Sequence, residues 1–413
     1  VVKEVSRPQN IILNIVKSVG GVRNDIGHLV DMYNIEDKSN RYQIIWDLGR
    51  RCSYACTYCP PHRNNKTSAF VDYKILCKSM DSVAEYALLY DSFRKKPAKK
   101  KLSFTGGEPT VHPDFFKFLK YVKIEYPDFS RGLTTNGWFG DNILDKVLSY
   151  TTGGTISYHC ESTKKQKNQV ISNAIVLREK YKCNVMFHKD YFWECVDVCE
   201  KLEKNGVDFV PRIIGDDNPT DKKSIKYGYT HVYGREEMKW FRAYWKQKGQ
   251  NVTGTGNTQQ GLGRPCCGGR CFKADGVDSY FLPSTNFLGW NCMVNWYFLF
   301  LNSEADRVWT HQTCGVNLDG EVAPLGKISE FEKIIDELEH ELYVHNRIPM
   351  ITCPKTFCGC GMCVTKSSQN IEPMFTKHVV PGLDHFIVSQ KESNYEVDVT
   401  TKKVLNELDS SNV

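Results

Sequence analysis

Six short apolar runs alternate with longer stretches whose apolar residues recur at helical spacing. The runs are 42–48, 101–105, 132–135, 155–159, 184–188 and 207–213, and between them lie 71–90, 113–124, 142–150, 169–182 and 191–205. In 113–124, for example, Phe115, Phe118, Leu119 and Val122 share one helical face. Strand–helix alternation of this kind predicts a parallel sheet joined by right-handed crossovers. Six units are too few for a closed eight-fold barrel. The expected fold is therefore α/β, a partial (β/α)6 barrel, whose lateral opening would admit a large substrate. Active sites on such barrels sit in the loops at the carboxyl ends of the strands.

The loop after the first run holds Cys52, Cys56 and Cys59, spaced C-x3-C-x2-C. Three thiolates from one tight loop suit a four-iron cubane with one iron left open. An electron-carrying cluster takes four cysteines, whereas a vacancy marks a metal site that does chemistry. A zinc site completed by a distant fourth ligand is the alternative, but zinc motifs come mostly as two C-x2-C pairs. Tyr58, just before Cys59, could shield a cluster from solvent and tune it. After the second run comes Ser103-Phe104-Thr105-Gly106-Gly107-Glu108-Pro109. Its glycines allow close approach of backbone to a ligand, and Glu108 offers an acceptor to an ammonium group. Taken alone, this motif would read as a Gly-Gly turn with an exposed acid.

Together the two motifs resemble the radical S-adenosylmethionine (radical SAM) superfamily, whose signature is C-x3-C-x2-C with an aromatic before the last cysteine and a Gly-Gly-Glu-Pro run after the second strand. The resemblance spans about residues 42–214. It implies a [4Fe-4S] cluster on Cys52, Cys56 and Cys59, with S-adenosylmethionine (SAM) bound through its amino and carboxylate groups at the open iron. Gly106, Gly107 and Glu108 would contact the SAM amino group. By strand position, further cofactor contacts would come from Asn136, from Ser157 and His159, and from Asn184 or His188. Val210 and Arg212, on the sixth strand, would lie near adenine. For His159 and His188 a purely structural role is an equal reading. The implied chemistry is reductive cleavage of SAM to a 5′-deoxyadenosyl radical, which takes a hydrogen atom from a substrate. The cofactors carry the hard chemistry, and the protein orients and excludes water. A flavodoxin- or ferredoxin-like electron donor is implied as partner.

Of the seventeen cysteines, nine lie in the C-terminal part: Cys266, Cys267, Cys271, Cys292, Cys314, Cys353, Cys358, Cys360 and Cys363. In a chain with no secretion signal such abundance points to metal or cluster ligation rather than disulfides. Interleaved glycines permit the sharp turns a cluster imposes. Segments 296–302 and 306–312 read as a hairpin, and 328–342 as a helix with Phe331, Ile334, Ile335 and Leu338 on one face. This module resembles the SPASM and twitch extensions of radical SAM enzymes, in part only. The gap from Cys292 to Cys314 is long and the terminal spacing departs from the standard pattern. One or two auxiliary iron–sulfur clusters are expected, the first on Cys292, Cys314, Cys360 and Cys363; zinc is the alternative. The other five cysteines, Cys77, Cys160, Cys183, Cys195 and Cys199, read as small buried hydrophobes.

The expected organisation is an extension at 1–41, the barrel at 42–215, a helix and linker at 216–264, the cysteine-rich module at 265–366 and a polar tail at 367–413. No stretch nears the ~20 apolar residues of a membrane helix, and no secretory signal is visible, so a cytoplasmic protein is expected. The net charge of +6 is modest, and the basic runs at 94–101, 164–167 and 222–223 read as solvated faces. Nucleic acid is a possible but disfavoured partner. A peptide or protein substrate is the first expectation and a small molecule, such as a sugar, nucleoside or cofactor precursor, the second. Only about forty residues precede the barrel, so a leader-binding domain would be absent or supplied in trans. A non-enzymatic iron–sulfur scaffold fits poorly with an intact SAM motif.

Overall fold

The structure, a computed structural model, describes residues 41–59, 65–92, 97–214, 233–247, 291–292, 294–311, 324–344, 349, 351–352 and 366–367. Cys266, Cys267, Cys271, Cys314, Cys353, Cys358, Cys360 and Cys363 lie outside them, as do residues 1–40 and nearly all of the tail.

The strand–helix units form in the expected order. They are β1 (Arg41–Asp47), α1 (Tyr73–Ser92), β2 (Lys99–Thr105), α2 (Phe115–Glu125), β3 (Ser130–Thr135), α3 (Asp141–Tyr150), β4 (Gly153–His159), α4 (Lys164–Val176), β5 (Tyr181–Phe187), α5 (Phe192–Lys204) and β6 (Phe209–Ile213). Strands β1 to β6 pair in sequence order, all parallel. Helix α4 and strand β5 both start earlier than apolar spacing alone suggested. Thr163 and Gln166 form a reciprocal capping box that starts the helix at Lys164. Tyr181, Cys183, Val185 and Phe187 then alternate as the buried side of β5. A further helix, α6 (Arg235–Gln247), packs Trp240 on Phe187 with ring centroids 5.4 Å apart.

Each strand hides one face and half-exposes the other. Tyr42, Ile44 and Trp46 of β1, Leu102 and Phe104 of β2, and Ile156 and Tyr158 of β4 are buried against the helices. Phe104 meets Phe115 and Phe118 of α2 edge to face. The opposite face carries Ser157, Asn184 and Val210 in one row, and His159, Met186 and Arg212 in the next. These side chains are only half-buried. Half-buried residues at every second position, in register across three strands, make up the face opposite the helices.

The expected hairpin joins the barrel's sheet. Its strands are β8 (Phe298–Asn302) and β9 (Arg307–Trp309). β8 pairs in parallel with β1, from Gln43 opposite Phe298 to Asp47 opposite Asn302. The sheet therefore runs β6-β5-β4-β3-β2-β1-β8-β9, and among the described residues its two ends do not pair. The reason is apolar burial: Leu299, Phe300 and Leu301 are each at most 1% exposed, more than a two-stranded ribbon could hide by itself. Helix α7 (Phe331–Glu339), continued by a π turn over His340–Val344, packs on α1, with Phe331 edge-on to Tyr86. A small second sheet places β7 (Asn291–Cys292) between β10 (Ile351–Thr352) and β11 (Lys366–Ser367).

Candidate cluster and cofactor site

The cysteine loop leaves β1 through Gly49, whose φ of +123° an L side chain rarely adopts. Its two necks are tied together. Asn65 N–H donates to the Arg50 carbonyl at 2.8 Å, and Cys52 N–H to the Asn65 carbonyl at 3.3 Å. Asn65 Oδ1 accepts from the N–H groups of Thr67 and Ser68 and from the Ser68 hydroxyl. The Arg51 guanidinium lies 4.5 Å over the Phe70 ring and donates to the Ser68 carbonyl.

Gly106 and Gly107 serve this loop. Gly107 N–H donates to the Gly49 carbonyl and Glu108 N–H to the Arg51 carbonyl, both at 2.7 Å. A Cβ on Gly106 would sit 2.4 Å from the Gly49 oxygen, and one on Gly107 would sit 2.2 Å from the Arg51 oxygen. The glycines thus let the two loops dock backbone to backbone, in addition to any ligand they meet. Glu108 is not the exposed acceptor its motif suggested. Its carboxylate accepts from Thr110 N–H (3.1 Å), Thr110 Oγ1 (2.7 Å), Thr135 Oγ1 (2.8 Å) and Asn136 N–H (2.6 Å). Three of these donors share Oε1 and one meets Oε2, so the side chain braces the loops around it. Burial pushes its carboxyl above the ordinary value, against the pull of these donors.

The thiols sit against the strand ends. Cys52 Sγ accepts from Tyr54 N–H at 3.4 Å and faces Asn136 Nδ2 at 3.9 Å. Asn136 Nδ2 also donates to Ser53 Oγ at 2.8 Å. Cys56 Sγ lies 3.5 Å from His159 Nδ1, and Cys59 N–H closes a turn onto the Cys56 carbonyl at 3.1 Å. The Tyr58 hydroxyl donates to His159 Nδ1 at 2.5 Å. Thr57 is held through its N–H and hydroxyl by Glu161, just past β4. Burial raises the Cys56 thiol to about 12 and raises Cys52, while it pulls the His159 imidazole down to about 4. Metal binding must therefore displace these protons.

The donor set fits an iron–sulfur cubane with one iron left open: three soft sulfurs come from a single loop, which holds no fourth cysteine.

Asn136 and His159 thus touch the cysteine loop itself. Ser157, Asn184, Val210 and Arg212 line the half-buried face, with Arg212 Nε facing Asn184 Oδ1 at 3.5 Å. His188 lies past the end of β5, 7% exposed, with its ring centroid 6.3 Å from that of Tyr58, and caps a short 3₁₀ turn by accepting from Asp190 N–H. Its other ring nitrogen is 3.8 Å from Glu161. Cys292 is 2% exposed and sits opposite Ile351 and Lys366. Sequence reading missed Ser53, Thr135 and Glu161. Thr135-Asn136-Gly137 directly after a strand was a local clue; Glu161 and Thr57, over a hundred positions apart, left none.

Residues 46–224 match the family described as the Radical SAM superfamily. A GTP 3′,8-cyclase of Sulfurimonas denitrificans is 24% identical over 192 residues, which cover 43% of this chain and 56% of that protein. An S-adenosylmethionine-dependent nucleotide dehydratase of Selenomonas ruminantium is 23% identical over 96 residues, 23% of this chain and 30% of that one. The chain thus spans about half or less of the curated relatives it matches. Among solved structures, Streptococcus suis SuiB bound to S-adenosylmethionine superposes with a TM-score of 0.46 at 14% identity, over 75% of this chain and 67% of that one. The cysteine loop and the Gly-Gly-Glu-Pro loop braced beneath it both lie within the residues that match the Radical SAM superfamily.

Proposed function

We propose that this enzyme uses radical SAM chemistry to abstract a hydrogen atom from a peptide or protein side chain. The observation that carries the radical chemistry is the cysteine loop at the carboxyl ends of the strands, docked on Gly107 through Gly49 and meeting Asn136 through Cys52 and His159 through Cys56. Cys52, Cys56 and Cys59 would hold a [4Fe-4S] cluster. When bound, that cluster supplies the electron that cleaves SAM to methionine and a 5′-deoxyadenosyl radical. Gly106 and Gly107 would offer backbone groups to the SAM amine. Ser157, Asn184 and Arg212 would orient the nucleoside end, and Tyr54 and Tyr58 would keep water from the loop. The substrate class is supported by the sheet, whose end strands β6 and β9 do not pair with each other among the described residues, which would leave room for an extended chain. An electron donor such as a flavodoxin or ferredoxin would complete turnover.

A second reading, action on a small molecule, is favoured by the relatives, which are named for GTP cyclisation and nucleotide dehydration. Those matches cover 43% and 23% of this chain. Auxiliary clusters on the C-terminal cysteines belong to the same proposal. Their support is Cys292, which the small sheet sets beside segments that lead directly from Thr352 to Cys353 and back to Lys366 after Cys363.

Anaerobically reconstituted, reduced protein should convert SAM to 5′-deoxyadenosine, and Cys56→Ala should abolish the product. Unchanged product in the alanine variant would refute the site. Deuterium appearing in 5′-deoxyadenosine from labelled peptide libraries, and not from labelled nucleotides, would decide for the first substrate reading; the reverse result would decide for the second.

A further inference from the structure

Among the described residues, the C-terminal half reaches the cysteine loop at the turn between β8 and β9. The turn between β8 and β9 lies over the start of that loop: Ser303 N–H donates to the Asp47 carbonyl at 2.9 Å, and Trp46 Nε1 donates to Ser303 Oγ at 2.8 Å. Glu304 follows. Its two oxygens accept from Arg50 Nε and Nη2 in a fork, and Oε1 also accepts from Ser68 Oγ at 3.0 Å. Arg50 and Ser68 are the two necks of the loop that carries Cys52, Cys56 and Cys59. A single carboxylate from more than 230 positions away therefore closes both.

From this juxtaposition we infer that Glu304 is a positioning residue for the cysteine loop, joining its necks before any cluster is bound. The turn is itself held rigidly. Asn302 Oδ1 accepts from Ala305 N–H at 3.0 Å, and the Asp306 carboxylate accepts from Ser329 N–H at 2.9 Å and from the Ser329 hydroxyl at 2.6 Å. Asp306 takes a φ of 48°, a left-handed conformation uncommon outside glycine. The Arg50–Glu304 pair is partly exposed, with side chains 37% and 26% accessible, so as an ion pair it adds little stability. Its effect is geometric: a forked guanidinium–carboxylate contact fixes orientation as well as distance. A loop already closed at its necks loses less conformational freedom when its three thiols are fixed in one arrangement. Acting through Arg50 and Ser68, Glu304 touches no thiol.

The inference rests on the reading that this loop holds a cluster, and the test separates the two. In the full-length, cluster-free protein, iodoacetamide labelling mapped by mass spectrometry reports how often the loop opens. Glu304→Ala should speed labelling of Cys52, Cys56 and Cys59 about tenfold or more, with the buried Cys160 and Cys195 unaffected. Glu304→Gln, which keeps an oxygen for Arg50 and Ser68, should fall between alanine and wild type. After reconstitution, both variants should lose iron to a chelator faster than wild type, in the same order. Unchanged labelling in the alanine variant overturns the proposal, as does equal acceleration at Cys160 and Cys195, which would make the role one of global stability. A wild-type protein that takes up no iron refutes the cluster reading and leaves the labelling result standing.

Discussion

Glu108 is a motif residue whose carboxylate ties two loops together. Its four partners all donate to it: two are backbone N–H groups, which can do nothing else, and two are hydroxyls. Glu108→Gln would turn one end of the side chain into an NH2 group facing donors. The substitution should destabilise the fold by roughly 1–3 kcal/mol, read as a lower midpoint in urea, and a midpoint equal to wild type would contradict the bracing role. The same scale explains what the two glycines could and could not reveal. Adjacent glycines announce a close approach, but not to what. The neighbour is the backbone at Gly49, Arg50 and Arg51, and only the folded chain shows it. His159 and His188 divide similarly. Both lie near strand ends and beside the Tyr58 ring, yet one meets Cys56 while the other caps a turn.

Among the elements, α4 is the clearest test of local encoding. Thr163 and Gln166 satisfy each other's backbone groups at its start. Thr163→Ala should cost about 1 kcal/mol, measured by chemical unfolding, while iron content after reconstitution stays at the wild-type level. Apolar spacing placed this helix at 169–182 because the first turn, Lys164–Gln166–Lys167, is polar; the cap signal marks the boundary better than the periodicity does. The β8–β9 hairpin is the converse case. Its strands were legible from alternating aromatic and aliphatic residues, but its partner was not. Strand pairing depends on which edge of the sheet is free, and nothing within 298–309 names β1.

For the molecule as a whole, the foot of the sheet carries a buried charge. Lys100 Nζ is 2.7 Å from Asp91 Oδ2 and 3.3 Å from Asp128, with the Lys100 and Asp91 side chains 5% and 8% accessible. Asp91 Oδ1 also accepts from Ala98 N–H at 2.8 Å, so the pair joins the end of α1 to β2. Lys100→Met would strand a carboxylate in the core, and the protein should lose about 3–5 kcal/mol of stability. Thermal unfolding tests this, and an unchanged transition would show the pair to be idle. At the other end of the same strands lies the cysteine loop, held by loops that follow β1, β2, β3 and β4 and by the β8–β9 turn. Stability and chemistry are thus kept at opposite ends of one sheet. No described helix is long and apolar enough to cross a membrane.

The amino-acid order alone settled the strand–helix alternation and the C-x3-C-x2-C trio, because both are local: side-chain periodicity and ligand spacing are written over a few consecutive positions. Folding decided what distant segments do to that trio. Glu161, Thr135, Asn136 and Glu304 come to the loop from separate places, and contacts made across the sheet leave no mark on the spacing of any one segment.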